Sequence, residues 1–260
     1  MEPTPRFLIT RDLPDSAARK LLDGILNLVY PDACALCGAP VARSRECSVC
    51  AACWDLVLGL KIGPPCCTCC GLPLPGFDSD PAPLCLDCLD RLPPYAGARS
   101  WGHYAESLRG AIHALKFAGR QRMADGLAPL LAQAFLESWR REDFDAIAAV
   151  PLHPKRKLER GFNQSELLAV RLGRILGLPL VRALERTRPT PPQVGLGDAD
   201  RWANVRGAFR CTRPRLVREK RILLVDDVMT TGATVGSATT ALLAAGARRV
   251  SVLTAARAVL

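Results

Sequence analysis

The chain has 260 residues and a mass of 28.1 kDa, above the usual span of about 100 to 200 residues for one domain, so one large or two unequal domains are expected. Hydrophobic residues make up 49% and charged residues 23%, which supplies a core and excludes a disordered chain; no apolar run of about 18 residues is present to span a bilayer. The first ten residues carry Glu2, two prolines and Arg6, unlike a secretory signal, so a cytoplasmic location is expected. The net charge of +10 is uneven: residues 1–95 carry −3 and residues 96–260 carry +13, so an anionic partner is expected on the C-terminal part. Of the 35 basic residues 29 are Arg, so an Arg-rich proteome would produce part of the same surplus.

In chain order, Asp15 or Ser16 caps an expected helix within residues 1–30. Ala18, Leu21, Leu22, Ile25, Leu26 and Val29 form its apolar stripe, and Pro31 ends it. Residues 31–92 then hold 11 of the 12 cysteines, between positions 34 and 88. Paired C-x2-C knuckles in a reducing compartment point to zinc rather than disulfides or iron–sulfur clusters, because each knuckle offers two thiolates on one side of a tight turn. Two structural Zn2+ sites are expected: Cys34, Cys37, Cys50 and Cys53 for one, Cys67, Cys70, Cys85 and Cys88 for the other. Gly38 and Gly71 follow the first knuckle of each set, where a turn uses positive φ. Two competing registers stay open, Cys47 with Cys50 and Cys66 with Cys69. Closed all-thiolate sites leave no coordination position for chemistry, so the metal here replaces a core.

From residue 96 to 260 the pattern changes to alternating helix and strand. Helices are expected over Ser107–Ala118, Gly126–Arg140, Gln164–Leu176 and Thr234–Ala245, and strands over Ala146–Val150, Arg221–Val225 and Val250–Thr254. This predicts an α/β fold, a parallel sheet with helices on both faces, whose ligands sit at the carboxyl ends of the strands. The most specific segment is Val225-Asp226-Asp227-Val228-Met229-Thr230-Thr231-Gly232-Ala233-Thr234. A strand delivers two carboxylates to the sheet edge, and a hydroxyl-rich loop then opens a helix whose N–H groups can face a phosphate. No Lys follows the glycine, so a P-loop is excluded.

That segment resembles the phosphoribosyl-pyrophosphate (PRPP) signature of type I phosphoribosyltransferases. Together with the double ribbon, Lys116-Phe117-x-Gly119, Pro151-Leu152-His153-Pro154, Arg160-Gly161-Phe162-Asn163-Gln164 and Thr190-Pro191-Pro192-Gln193, it makes the chain similar to the ComF/GntX family from about Asn27 onward. The resemblance implies a type I phosphoribosyltransferase domain behind a small double zinc-ribbon domain, similar to amidophosphoribosyltransferases and associated with DNA uptake in natural competence. By the same resemblance Asp226 and Asp227, the catalytic candidates, hold the ribose hydroxyls, and Thr230, Thr231, Gly232, Ala233 and Thr234 hold the 5-phosphate. Lys155, Arg156, Arg160 and Asn163 receive the pyrophosphate. The segment from Arg186 to Asn204, with Gln193, Arg201 and Asn204, stands where such enzymes place a lid. Mg2+ would accompany PRPP, and an unnamed acceptor would displace pyrophosphate at the anomeric carbon. The alternative is a non-catalytic PRPP- or nucleotide-binding protein that takes single-stranded DNA, with competence or recombination proteins as partners. Lys116 and His153 are equally readable as local pairing or capping residues.

Overall fold

The computed structural model describes residues 32–41, 47–77, 83–117, 120–189 and 198–259, with backbone alone at 32 and 198–201. The helix expected within residues 1–30, Gly119 and Gln193 lie outside the described residues.

Each ribbon is built on the same plan. Short strands β1 (Asp32–Ala33) and β2 (Pro40–Val41) pair antiparallel around the Cys34–Cys37 turn, and Cys50 and Cys53 lie at the start of helix α1 (Ala51–Leu58). In the second ribbon the Cys67–Cys70 turn is closed by a bridge between Cys66 and Pro73, and Cys85 and Cys88 open helix α2 (Leu86–Asp90). Gly38 and Gly71 have φ of 76° and 68°, as the knuckle turns require.

The remaining elements are β3 (Ala98–His103), α3 (Glu106–Leu115), α4 (Met123–Leu136), β4 (Ala146–Ala149), α5 (Pro154–Arg160) and α6 (Gln164–Leu176). They continue with β5 (Leu184–Arg186), α7 (Asp198–Val205), β6 (Phe209–Cys211), β7 (Arg221–Met229), α8 (Ala233–Ala244) and β8 (Arg249–Arg257). The main sheet has the order β3-β8-β7-β4, every pair parallel. Side chains alternate across it. Leu223, Val225 and Leu253 face Leu108, Leu127, Leu131, Phe135, Leu168 and Leu172 of α3, α4 and α6. Ile222, Leu224, Val250 and Val252 face Val235, Ala238 and Leu242 of α8. β5 and β6 form a separate antiparallel pair beside the sheet, with Glu185 opposite Arg210.

Three differences from the sequence reading bear on function. β7 does not stop at Val225: the ladder with β8 continues through Asp226↔Thr254, Val228↔Ala256 and Met229↔Arg257, so the carboxylate pair sits inside a strand held extended by its neighbour. β3 was not expected, because Arg99, Ser100, Gly102 and His103 hide the apolar alternation of an edge strand. The expected lid contains a helix, α7, whose Val205 is fully buried and whose Trp202 rests on α8, where a Cβ on Gly236 would lie 2.7 Å from the indole.

The ribbons dock on the α/β layer by backbone as well as side chain. Ala98 N donates to Cys69 O at 2.7 Å, and a Cβ on Gly71 would stand 2.5 Å from Ala98 O. On the first ribbon, Arg120 Nη1 donates to Ala35 O at 3.0 Å and Trp54 packs on Gly126.

Candidate functional site

The eight expected ligands come together as two sets of four, the sulfurs of each set lying within 4.8 Å of one another. Cys37 Sγ and Cys50 Sγ are 3.7 Å apart, and Cys70 Sγ and Cys85 Sγ 3.6 Å. Burial alone would push Cys34 up, but the N–H groups of Cys37, Cys50 and Leu36 outweigh it and bring the thiol down to about 6. Cys67 follows the same rule: burial opposes, N–H groups of Cys70, Cys85 and Cys69 prevail, and the thiol falls to about 7. A thiolate at the head of each knuckle is the form a soft divalent ion takes up, so both tetrathiolate sets fit structural zinc. The competing registers are excluded by position. Cys47 lies against Gly126 of α4, Cys66 Sγ donates to Gly63 O at 3.2 Å, and Cys69 lies beside Cys88 but outside the set of four.

At the carboxyl edge of the sheet, Asp226 and Asp227 are 8% and 7% exposed and are held from two sides. Ser165 Oγ donates to Asp226 Oδ1 at 2.7 Å, and Gln164 Nε2 donates to Asp227 Oδ2 at 3.3 Å. Lys116 Nζ stands 3.5 Å from Asp227 Oδ2, which settles its role as the partner of this carboxylate. Arg160 Nη1 donates to Gln164 Oε1 at 2.5 Å, so a continuous polar chain joins α5, α6, β7 and the end of α3. Burial, then the neighbouring charge of Asp227, push Asp226 up to about 8. Asp226 is therefore short of positive charge or donated hydrogen bonds, and a diol or a hydrated cation would supply either.

Beyond the pair, Thr230–Gly232 turns the chain into α8. Gly232 has a φ of 79°, and a Cβ there would meet Met229 Cε and Tyr95 Oη, each at 2.9 Å. Thr231 Oγ1 accepts from Ala233 N at 3.4 Å, and the first-turn N–H groups of α8 have no partner within the helix, as at any helix start. Tyr95, buried behind the loop, links it to the second ribbon. A cavity of about 270 Å3 there is lined by Cys70, Cys88, Tyr95, Trp202, Thr231 and Arg257. Arg257 is 5% exposed, donates to Cys70 O at 3.4 Å and approaches Cys70 Sγ at 3.8 Å.

The other expected residues divide. Lys155 and Arg156 are exposed in the first turn of α5, directly after the Pro151 loop. His153 is the N-cap of that helix, its Nδ1 accepting from Lys155 N at 3.3 Å. Asn163 is spent on structure: it donates to Val150 O at 3.0 Å and caps α6 by accepting from Ser165 N at 3.1 Å. Arg201 and Asn204 lie on α7, where Asn204 O accepts from Arg188 Nη2 at 3.1 Å. Sequence reasoning missed Ser165, Tyr95, Arg186 and Arg257. Arg186, on β5, is largely buried and within electrostatic reach of both Arg156 and Asp226. Only the run Arg160-Gly161-Phe162-Asn163-Gln164 carried a signal for part of this network, its first and last side chains meeting across the turn between α5 and α6.

A Double zinc ribbon domain model matches residues 25–89. The DNA utilization protein YhgH of Salmonella typhimurium is 37% identical over 231 residues, spanning 86% of this chain and 96% of that protein. The chain belongs to the ComF/GntX family. Within that family it is also 36% identical over 231 residues to YhgH of Escherichia coli K12, again 86% of this chain and 96% of that one. Competence protein F of Haemophilus influenzae is 34% identical over 179 residues, 67% of this chain and 78% of its own. Half of this ComF/GntX chain overlays 25% of the Bacillus subtilis glutamine PRPP amidotransferase at a TM-score of 0.35 and 24% identity, a likeness too slight to bear on function.

Proposed function

We propose that this ComF/GntX chain binds PRPP with Mg2+ at the carboxyl edge of its sheet and transfers the phosphoribosyl group to an acceptor, releasing pyrophosphate. The observation that carries the reading is the buried Asp226–Asp227 pair running directly into the Thr230–Thr234 turn and the start of α8. In this reading the two carboxylates accept hydrogen bonds from the ribose hydroxyls, and the turn and helix N–H groups take the 5-phosphate. Lys155 and Arg156 meet the leaving pyrophosphate, with Arg186 within electrostatic reach of Arg156. Mg2+, if bound with the substrate, would neutralise part of the pyrophosphate's charge, and the raised Asp226 suits a cation nearby. Lys116 pairs with Asp227 until a ribose hydroxyl replaces it.

The test is calorimetric titration of PRPP with Mg2+ into zinc-loaded protein. Wild type binds, and Asp226→Ala/Asp227→Ala loses about tenfold or more in affinity, since charge-assisted hydrogen bonds are worth about 1.5 to 3 kcal/mol each. Equal affinity in the two proteins overturns the reading. Pyrophosphate release against a panel of amines and nucleobases then tests transfer; release by none of them leaves binding without transfer and sinks the catalytic half.

A second reading is favoured by the relatives, whose names are DNA utilization protein and Competence protein. In it the chain works in the cytoplasm on single-stranded DNA, with competence or recombination proteins as partners. No helix among the described residues is long and apolar enough to cross a membrane.

A further inference from the structure

The positive excess of residues 96–260 has a second centre, at the end of the sheet opposite the phosphate turn. There the segments leading into β7 and β8 are tied together: Arg248 N donates to Lys220 O at 2.9 Å, Glu219 N to Gly246 O at 2.8 Å, and Arg221 is the register partner of Arg249. This gathers Arg213, Arg215, Arg218, Lys220, Arg248 and Arg249 at one end of the fold. All but Lys220 are exposed, and none of the six makes an ion pair or side-chain hydrogen bond with the described residues.

The acidic groups nearby offset the cluster only in part, and Lys220 adds to the field that Arg221 exerts on Asp145. Asp145 is clamped by Arg221, whose Nη2 stands 2.9 Å from its Oδ1 and whose Nε and backbone N also donate to it; this holds the carboxyl down at about 2. Asp143 accepts from Arg140 N at 3.4 Å, and Glu142 and Glu219 are further carboxylates on these segments. A cleft of about 520 Å3 opens between Ala96, Asp143, Arg221, Arg248 and Arg249.

The six cations outnumber the carboxylates beside them, so this end keeps an excess of positive charge that a multiply charged anion would relieve. The cations are exposed on turns rather than converging on an enclosed cradle, so a polymer with one charge per unit fits better than a small phosphate ester. Along β7 the carboxylate pair begins five residues beyond Arg221, about 17 Å at roughly 3.3 Å per residue, and the phosphate turn lies farther still.

We propose that this basic end docks the phosphodiester backbone of a nucleic acid, separately from the sugar-phosphate site. The proposal rests on the nucleic-acid reading above and assigns it a surface. Because the cations meet phosphates and no aromatic side chain lies among them, the docking does not depend on base sequence.

The experiment is fluorescence anisotropy with a short labelled single strand and the matching duplex, using full-length zinc-loaded protein across a salt series. Arg215→Ala/Arg218→Ala/Arg248→Ala is compared with Arg109→Ala/Arg122→Ala/Arg206→Ala, which removes the same charge elsewhere. The first variant weakens binding about tenfold or more and flattens the log–log salt slope by about 2, roughly 0.7 per single-strand phosphate contact. The second stays within about threefold and keeps its slope. The Arg→Lys form of the first variant retains binding, and Arg248→Glu alone gives the test if the triple variant loses its fold. The strand and duplex arms identify which nucleic acid is taken. Equal losses in the two alanine variants overturn the proposal, as does binding to anionic phosphatidylglycerol vesicles without binding to either nucleic acid. Wild type that binds neither strand nor duplex sinks the nucleic-acid reading together with this surface, whereas PRPP affinity, measured on the same samples, reports on the sugar-phosphate site alone.

Discussion

Asp226 is a carboxyl group that folding makes more basic, and the sign of that change has a consequence for stability. Its folded value, pushed up to about 8 by burial and by Asp227, stands above an unfolded value near 3.8. A raised group contributes its stability below the unfolded value and loses it as pH climbs through the folded one. Ligand-free protein should therefore lose thermal stability relative to Asp226→Asn between about pH 4 and pH 8, because the amide still accepts from Ser165 and never ionises. Melting curves of both proteins across that range check it; parallel curves would show that Asp226 ionises in the fold as it does in the open chain. Gly232 is the complementary case, a position where backbone conformation rather than charge is constrained. Gly232→Ala combines a φ of 79° with a Cβ 2.9 Å from Tyr95 Oη, and should cost about 1 to 3 kcal/mol in denaturant unfolding as well as most PRPP affinity.

Among the elements, α7 has most to say about how the two halves of the site are joined. Trp202 is held between α8, through Gly236, and the guanidinium of Arg91, 4.8 Å above its ring and three residues beyond Cys88. Trp202→Ala should therefore lower PRPP affinity several-fold, since α7 sits over the wall that includes Thr231, while leaving the sheet core and its melting temperature nearly unchanged. A loss of affinity matched by a large drop in melting temperature would make α7 a part of the core instead. Nothing in residues 186–204 announces this helix: its apolar contacts are a tryptophan and a valine among Asp198, Asp200 and Arg201, and its stability comes from the surfaces it meets. α6 shows the opposite case, since Leu168 and Leu172 repeat at helical spacing between an Asn cap and Gly177, and its ends were legible to the residue. The carboxylate pair and the cysteine knuckles were legible for a related reason, their local spacing, while the choice between the competing cysteine registers needed the fold. Ser165, Tyr95, Arg186 and Arg257 were not, because each acts on a residue far away in sequence, and no local pattern encodes a contact across 60 positions or more, as between Ser165 and Asp226.

For the molecule as a whole, the two metal sites should not be equivalent. The first ribbon rests on α3 and α4, away from the carboxylates, through Leu36 on Gly110 and Trp54 on Gly126. The second is bonded to β3 through Cys69 O and Ala98 N, and walls the cavity that contains Thr231. Cys67→Ser/Cys85→Ser should thus lose one zinc and most PRPP affinity, whereas Cys37→Ser/Cys50→Ser should lose one zinc and keep most of the affinity. Elemental analysis with titration on each variant checks this, and equal effects would make zinc a stabiliser of the fold at large.

Tyr95 and Arg257 give the division into domains a different meaning. The sequence breaks at Pro93-Pro94 after Cys88, the last cysteine of the ribbons, and a chain cut at residue 96 would keep every element of the main sheet. It would also lack Tyr95 behind Gly232, and Arg257 would face solvent where Cys70 stands. The ribbon is thus inherited property of the site rather than an appendage to it. An exchange of ribbons between two members of this family would succeed or fail on whether the incoming knuckle carries the aromatic wall and the carbonyl that this turn and this arginine need.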